Sequence, residues 1–230
     1  MIDCKSLKIF KDRELIVDIS FKISSSLALV GESGSGKSLT LKALIDMLPD
    51  GFSSKIDIDA PFKLQRGESI SFIPQNPFTA LSPMTKISKQ WFGEQKRAKE
   101  LFEVVGLDWE LFFRYPPQLS GGQLQRVIFA MALESNPKLI LLDEPTTALD
   151  PNLRDEIAKV LLDLQKRFNF LMLFVTHDIN LASKICQDML VIKKGKVVES
   201  GKSIDILSAP KSSYTKELIE ANFSNREFRE

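Results

Sequence analysis

The sequence predicts an α/β fold in which parallel strands crossed by helices build the core, with a helical segment inserted between its two halves. Three observations predict it. Leu27, Ala28, Leu29 and Val30 form an apolar run that stops at Gly31, after which Leu39, Leu41, Leu44, Ile45 and Leu48 recur at helical spacing. Strand-like apolar runs return at 139–142 and 171–175, separated by a helical pattern over 153–168. Between the halves, prolines at 74, 77, 83, 116 and 117 punctuate helical patterning such as that of 89–105.

In chain order, the first strand, Gly-rich turn and helix should end near Pro49, Asp50 and Gly51, a strong turn signal. Residues 56–73 alternate weakly and read as short strands reaching 69–73. After the inserted helices, the 139–142 strand, the 153–168 helix and the 171–175 strand complete the core. Lys193, Lys194, Gly195 and Lys196 lie between Met189–Ile192 and Val197–Val198 and read as a terminal hairpin.

Composition is that of a globular chain: 230 residues, 43% hydrophobic and 27% charged. That length fits one large domain, or a core with a smaller insertion. A net charge of +1 gives no footprint for nucleic acid, and none is expected as a partner. No apolar run, that of 170–175 included, approaches the roughly 20 residues that cross a bilayer. The first residues carry Asp3 and no continuous apolar stretch, so no secretory signal is expected. Cys4 and Cys186 form no CxxC pair and no Cys/His cluster, so neither disulfides nor zinc are indicated.

The strongest local signal is Gly31, Glu32, Ser33, Gly34, Ser35, Gly36, Lys37 and Ser38, which fits G-x-x-x-x-G-K-[ST] and leads into Leu39. Glycines let the backbone wrap phosphates, and the start of a helix points amides and positive dipole at an anion. ATP is the implied ligand, with Lys37 reaching its β- and γ-phosphates and Ser38 holding Mg²⁺. Farther on, the strand at 139–142 runs into Asp143 and Glu144. A buried parallel strand places such carboxylates at the edge of the sheet where ligands bind. Asp143 is expected to orient the magnesium and Glu144 to polarise the attacking water as general base.

Between these elements stand Leu119, Ser120, Gly121, Gly122 and Gln123, preceded by Tyr115, Pro116, Pro117 and Gln118. Here the chain resembles the ABC ATPase family, whose signature is Leu-Ser-Gly-Gly-Gln. Ser120 and the Gly121 and Gly122 amides open a helix and can aim donors at an anion. In the family that anion is the γ-phosphate held by the opposite subunit, so one site needs two chains. The resemblance extends to Gln75, matching the Q-loop glutamine at Mg²⁺ or its water. It also covers Thr147 to Asp150, matching the D-loop that crosses the dimer interface, and His177, matching the switch histidine at the γ-phosphate. His177 is the chain's one histidine, but its place after an apolar strand, not its rarity, supports the match. Phe10 is the candidate for stacking on adenine, ahead of Phe21. Ser24, Ser25 and Ser26 stand where the family has a Gly-Glu pair, a departure that alters a turn.

The resemblance implies a P-loop NTPase (RecA-like) core of ABC ATPase type with an inserted helical subdomain and a small β subdomain. The core would take 1–76 and 131–202, the helical signature subdomain 77–130 and a C-terminal tail 203–230. Gln75 to Pro83, the Asp143 to Asp150 stretch, and Ala209-Pro210 followed by Tyr214 to Leu218 are similar to peptide and nickel importer ATPases. Many of those carry a cysteine cluster beyond this length; its absence and Lys37-Ser38-Leu39-Thr40 favour the nickel-type branch. The implied function is ATP hydrolysis energising uptake of nickel chelates or di- and oligopeptides. Implied partners are a second ABC ATPase subunit (a heterodimer, with a homodimer as the alternative), two transmembrane permeases and, indirectly, an extracytoplasmic solute-binding protein. The implied location is peripheral, at the cytoplasmic face of the inner membrane. The alternative function is a non-transport ABC ATPase of DNA repair or translation. The short stretch between P-loop and signature, and the single cassette, argue against it.

Overall fold

The computed structural model describes residues 1–146 and 151–227, with backbone alone for Pro151, Asn152 and 223–227. The expected D-loop, Thr147 to Asp150, lies outside the described residues. The chain divides into two compact units, Met1–Leu64 with Leu171–Glu230, and Gln65–Phe170.

In the first unit, β3 (Ser26–Val30) is buried at every residue and lies between β7 (Leu171–Thr176) and β8 (Asp188–Lys193), parallel to both. A strand covered on both faces reads as an unbroken apolar run, which is what Leu27 to Val30 supply. Helix α1 (Lys37–Leu44) packs on β7, and α7 (Ile179–Ile185) packs on β3, β7 and β8. Each aliphatic side chain fully buried in these layers contributes about 1.5–3 kcal/mol.

Beyond β8 the sheet continues through β9 (Lys196–Lys202), β2 (Glu14–Ile23), β1 (Ile2–Lys11) and β4 (Phe52–Asp59), giving the order β4-β1-β2-β9-β8-β3-β7 within this unit. The β1, β2 and β4 strands pair antiparallel. One face of β1 and β2 is apolar: Ile2, Cys4, Leu7 and Ile9 face the core with Val17, Ile19, Phe21 and Ile23. A register shift between Cys4 and Leu7 keeps these residues inside despite the odd spacing. Both hairpin turns place two central residues at positive φ, Asp12 and Arg13 (48° and 74°) and Lys194 and Gly195 (47° and 73°). This is the turn hand that suits twisted strands. The 193–196 hairpin is as the sequence predicts.

Ser26 extends β3 one residue beyond the apolar run because its hydroxyl, 2% exposed, accepts from the Gln187 N–H at 3.0 Å. Thus the Ser24 to Ser26 departure is not only a turn. Helix α1 stops at Leu44, well short of Pro49. Asp46 adopts a left-handed φ of 54°, and the Met47 and Asp46 amides donate to the carbonyls of Lys42 (2.8 Å) and Ala43 (3.3 Å). That closure ends a helix without glycine or proline. Residues 203–230, read as a tail, contain α8 (Ser203–Ser208) and α9 (Ser213–Glu227), with Ile206, Tyr214, Leu218 and Ile219 buried.

In the second unit, β5 (Ile70–Ile73) and β6 (Leu139–Asp143) pair in parallel, Ile73 opposite Leu142. The proline-punctuated stretch folds as α2 (Pro77–Ala80), α3 (Ile87–Gln90), α4 (Gln95–Val104) and α5 (Gly121–Leu133). The single helix expected over 89–105 is split. Trp91 leaves helical geometry and turns into an aromatic cluster, 6.1 Å from Phe102 and 5.9 Å from Phe112, edge to face. Such pairs contribute about 0.5–1.5 kcal/mol each beyond their burial. Helix α6 (Pro151–Phe168) buries Ile157, Leu161 and Leu164 and pairs Glu156 with Arg126 of α5. It begins two residues before the expected 153, with proline at the first helical position, where its missing N–H costs nothing.

Candidate functional site

The Gly31 to Ser38 loop joins β3 to α1, as expected of a phosphate cradle. Gly34 and Gly36 take φ of 80° and 102°, which other residues adopt only with strain. A Cβ on Gly31 would stand 2.3 Å from the Ile192 carbonyl oxygen, and one on Gly36 would stand 2.6 Å from Val17. Close approach to the sheet therefore demands glycine at both ends of the loop. Helix α1 follows Gly36 at its N-cap, has no side-chain cap and has no acidic residue in its first turn. Its leading amides face no competing carboxylate from their own turn.

Lys37 is buried, 5% exposed, and its ammonium donates to the carbonyls of Gly31 at 2.8 Å and Glu32 at 2.9 Å. The Ser35 hydroxyl is buried in the same loop with no hydrogen-bond partner among the described atoms. A buried cation held by its own loop and an unmatched hydroxyl beside an uncapped helix start suit a polyanionic ligand. Ser38 and Leu39, next on α1, are half-buried. Val30 pairs with Thr176 in the parallel β3–β7 ladder, so Gly31 and His177 leave the sheet side by side. The His177 side chain is exposed. Asp178 caps α7 through the amides of Asn180 and Leu181, both at 3.0 Å, and so fixes the chain just beyond the histidine.

In the second unit, Asp143 is the last residue of β6, 6% exposed, and Glu144 follows at φ 46°. A glutamate in left-handed backbone is uncommon and belongs to the strained conformations that gather at functional sites. Because Ile73 pairs with Leu142, Gln75 and Glu144 each lie two residues beyond paired positions at one strand edge. Gln75 is exposed, and Asn76 after it caps α2 by accepting from Phe78 N–H at 2.9 Å.

The signature residues sit elsewhere in that unit, at the start of α5. Ser120 Oγ accepts from Gln123 N–H at 3.3 Å, and Gln123 Oε1 accepts from Ser120 N–H at 3.0 Å, a reciprocal capping box. The box takes up two amides and leaves those of Gly121 and Gly122 as first-turn donors outside it. Gly122 is also a packing residue, since a Cβ there would stand 2.7 Å from Leu153 Cδ1 of α6. Phe10, on β1, is half-buried with the Lys55 ammonium 5.8 Å from its ring centroid. Among the described residues, no group of three or more His, Cys, Asp or Glu could hold a metal ion. Burial raises both thiols, Cys4 to about 12, so they stay protonated in the interior.

Sequence reasoning names Tyr214 and the β8–β9 turn but assigns neither to the loop, which both touch. Tyr214 Oη accepts from Glu32 N–H at 3.0 Å, and Gly195 N–H donates to the Ser35 carbonyl at 3.0 Å. Both arise from chain far beyond the motif, so no local pattern announces them.

Compared with known proteins, residues 16–147 match the ABC transporter family model, a span that includes the P-loop, Gln75, the signature, Asp143 and Glu144. The chain belongs to the ABC transporter family. It is 34% identical over 235 residues to the metal-staphylopine import system ATP-binding protein CntD of Staphylococcus aureus strain NCTC 8325, covering 90% of this chain and 87% of that one. It is 35% identical to the oligopeptide transport ATP-binding protein OppD of Bacillus subtilis strain 168, covering 84% of this chain and 62% of that one. Among solved structures it resembles cbiO1 from Clostridium perfringens, part of the transporter complex cbiONQ, with TM-score 0.74, 26% identity and 90% coverage of each chain. A dimeric, post-hydrolysis ATP-binding cassette bound to ADP and Pi is similar at TM-score 0.67 and 28% identity, over 88% of this chain and 99% of that one. The chain is an ABC importer ATPase: it binds ATP and hydrolyses it. Among the described residues, no helix is long and apolar enough to cross a membrane.

Proposed function

We propose that this chain energises uptake of a metal chelate, nickel favoured, or of di- and oligopeptides, as one half of a nucleotide-sandwich dimer docked on two permease subunits. The observation that carries the reading is the buried Lys37 in an uncapped glycine loop, on a chain whose relatives serve metal-staphylopine and oligopeptide import. The partner ATPase is a different chain, as in importers that pair two cassettes. An extracytoplasmic solute-binding protein delivers the cargo, and the subunit works peripherally at the cytoplasmic face of the membrane.

Each residue has a task in this scheme. The amides of 33–38 and the Lys37 ammonium bind the β- and γ-phosphates, and Phe10 stacks on adenine. The hydroxyl of Ser38, the amide oxygen of Gln75 and the carboxylate of Asp143 are hard oxygen donors that suit Mg²⁺. When bound, the magnesium supplies positive charge to the phosphate oxygens. Glu144 takes a proton from the attacking water as the bond between the γ-phosphorus and the ADP oxygen breaks. His177 steadies the charge that develops on the transferring group. Ser120, with Gly121, Gly122 and Gln123, offers its helix start to the γ-phosphate of the partner's nucleotide, and Asp150 contributes to the dimer interface. Catalysis is then mostly positioning and electrostatics.

The test is affinity purification of tagged Glu144→Gln protein from gently solubilised native membranes in Mg-ATP. A co-purifying polytopic permease and a second ATPase support the importer scheme, and loading of nickel chelates or peptides onto the recovered complex then separates the cargoes. Recovery of soluble partners alone leaves the ATPase and removes the importer.

A further inference from the structure

In the ATPase scheme Tyr214 has no task, yet it is 3% exposed and its Oη accepts from the Glu32 N–H of the P-loop at 3.0 Å. The Gly31–Glu32 peptide is planar and trans, so its carbonyl points away from its N–H. That carbonyl accepts from the Lys37 ammonium at 2.8 Å. One rigid plane is thus pinned at both ends, by Tyr214 on one side and Lys37 on the other.

Tyr214 is itself held firmly. Glu199 of β9 accepts from the amides of Lys211 and Ser212 at 2.9 and 3.0 Å, which fixes the chain entering α9. The Lys193 ammonium stands 4.3 Å from the centroid of the Tyr214 ring. Burial raises the phenol above its ordinary range, so it stays neutral at physiological pH. The adjoining hairpin turn secures the loop at a second point through the Gly195 N–H to Ser35 carbonyl bond.

We propose that Tyr214 is a positioning residue for nucleotide binding, its phenol oxygen holding the Gly31–Glu32 peptide in the orientation from which Lys37 is presented. The proposal rests on the P-loop reading of residues 31–38. When Lys37 turns toward phosphate its hold on the Gly31 carbonyl loosens, while Tyr214 keeps hold of the other end of the peptide plane. Without that bond the plane can rotate, and nucleotide binding must restore its order at a cost in affinity.

Tyr214→Phe keeps the ring and the Lys193 contact and removes only the acceptor. The expected result is a KM for Mg-ATP raised roughly 3- to 10-fold, the worth of one hydrogen bond, with kcat within about twofold. The Glu32 amide should exchange with solvent more than about tenfold faster, because its partner is gone. An unchanged KM, whether or not the melting temperature falls, overturns the proposal, because packing of α9 alone would then explain Tyr214. Should that variant not fold, 3-fluorotyrosine can be placed at 214 in a Tyr115→Phe background, since the chain has 2 tyrosines. Its fluorine resonance should shift on addition of Mg-ATP, and an unmoved resonance at saturation overturns the proposal. A wild-type chain that binds no Mg-ATP removes the P-loop reading and this proposal together, whereas wild-type binding with an unaffected variant removes only the role of Tyr214.

Discussion

Lys37 turns back on its own loop, donating its ammonium to the Gly31 carbonyl at 2.8 Å in a site where the residue is only 5% exposed. A buried ammonium costs free energy unless it is partnered, and here two carbonyl oxygens partner it. The charge is thereby stored at the mouth of α1, ready to exchange carbonyls for phosphate oxygens.

Lys37→Ala should therefore abolish tight ATP binding and lower turnover by at least about 100-fold, the scale on which a single electrostatic donor acts. Of the two carbonyls it leaves, that of Gly31 is buried and that of Glu32 part-buried, so a loss of stability of about 1–3 kcal/mol accompanies the change. Isothermal titration with Mg-ATP and a phosphate-release assay check this, and wild-type turnover in the variant would refute the P-loop assignment.

Glu144→Gln keeps shape and backbone strain at φ 46° while removing the proton acceptor. Turnover should fall about 10²- to 10⁴-fold with ATP affinity retained. Closed dimers should accumulate in Mg-ATP, visible by light scattering. Normal hydrolysis would mean that Glu144 is not the base.

What the sequence makes legible is chemistry carried by short, contiguous motifs. The glycine loop before α1, the end of β6 at Asp143 and the helix start after Ser120 fall on the elements their spacing implies. The end of α1 does not read so, because Asp46 closes the helix in a left-handed conformation that composition does not announce. Nor does the break at Trp91, where aromatic packing outweighs helical patterning. Gly122 reads as a phosphate-facing glycine, whereas contact with Leu153 supplies an independent reason for it. Tyr214 meets Glu32 across 182 residues, a separation that only the fold can close.

Ser120→Arg removes a capping hydroxyl, at a cost of about 1 kcal/mol to α5, and places bulk and charge where the partner's nucleotide is to dock. Nucleotide binding by the monomer should be nearly unchanged, while ATP-dependent dimerisation should disappear in a Glu144→Gln background. Sedimentation in Mg-ATP makes the comparison. Unaltered dimerisation would count against a site shared between two subunits.

Gly31→Ala and Gly34→Ala separate two reasons for glycine in one loop. At Gly31 an added Cβ would meet the Ile192 carbonyl oxygen at 2.3 Å, and that carbonyl belongs to β8, which pairs with β3 on one side and β9 on the other. The strand cannot yield cheaply, so the loop must move, at about 1–3 kcal/mol and with loss of nucleotide affinity. At Gly34 nothing lies within 4 Å of an added Cβ, and only the left-handed φ of 80° penalises alanine, by roughly 1–2 kcal/mol. Gly34→Ala should thus lower the melting temperature by a few degrees, about 2–4 °C per kcal/mol for a chain of this size, with ATP bound several-fold more weakly at most. Gly31→Ala should match or exceed that thermal loss and bind ATP at least about tenfold more weakly, because the displaced carbonyl is the one that presents Lys37. Equal ATP affinities in the two variants would show that the contact between the loop and β8 has no part in shaping the site.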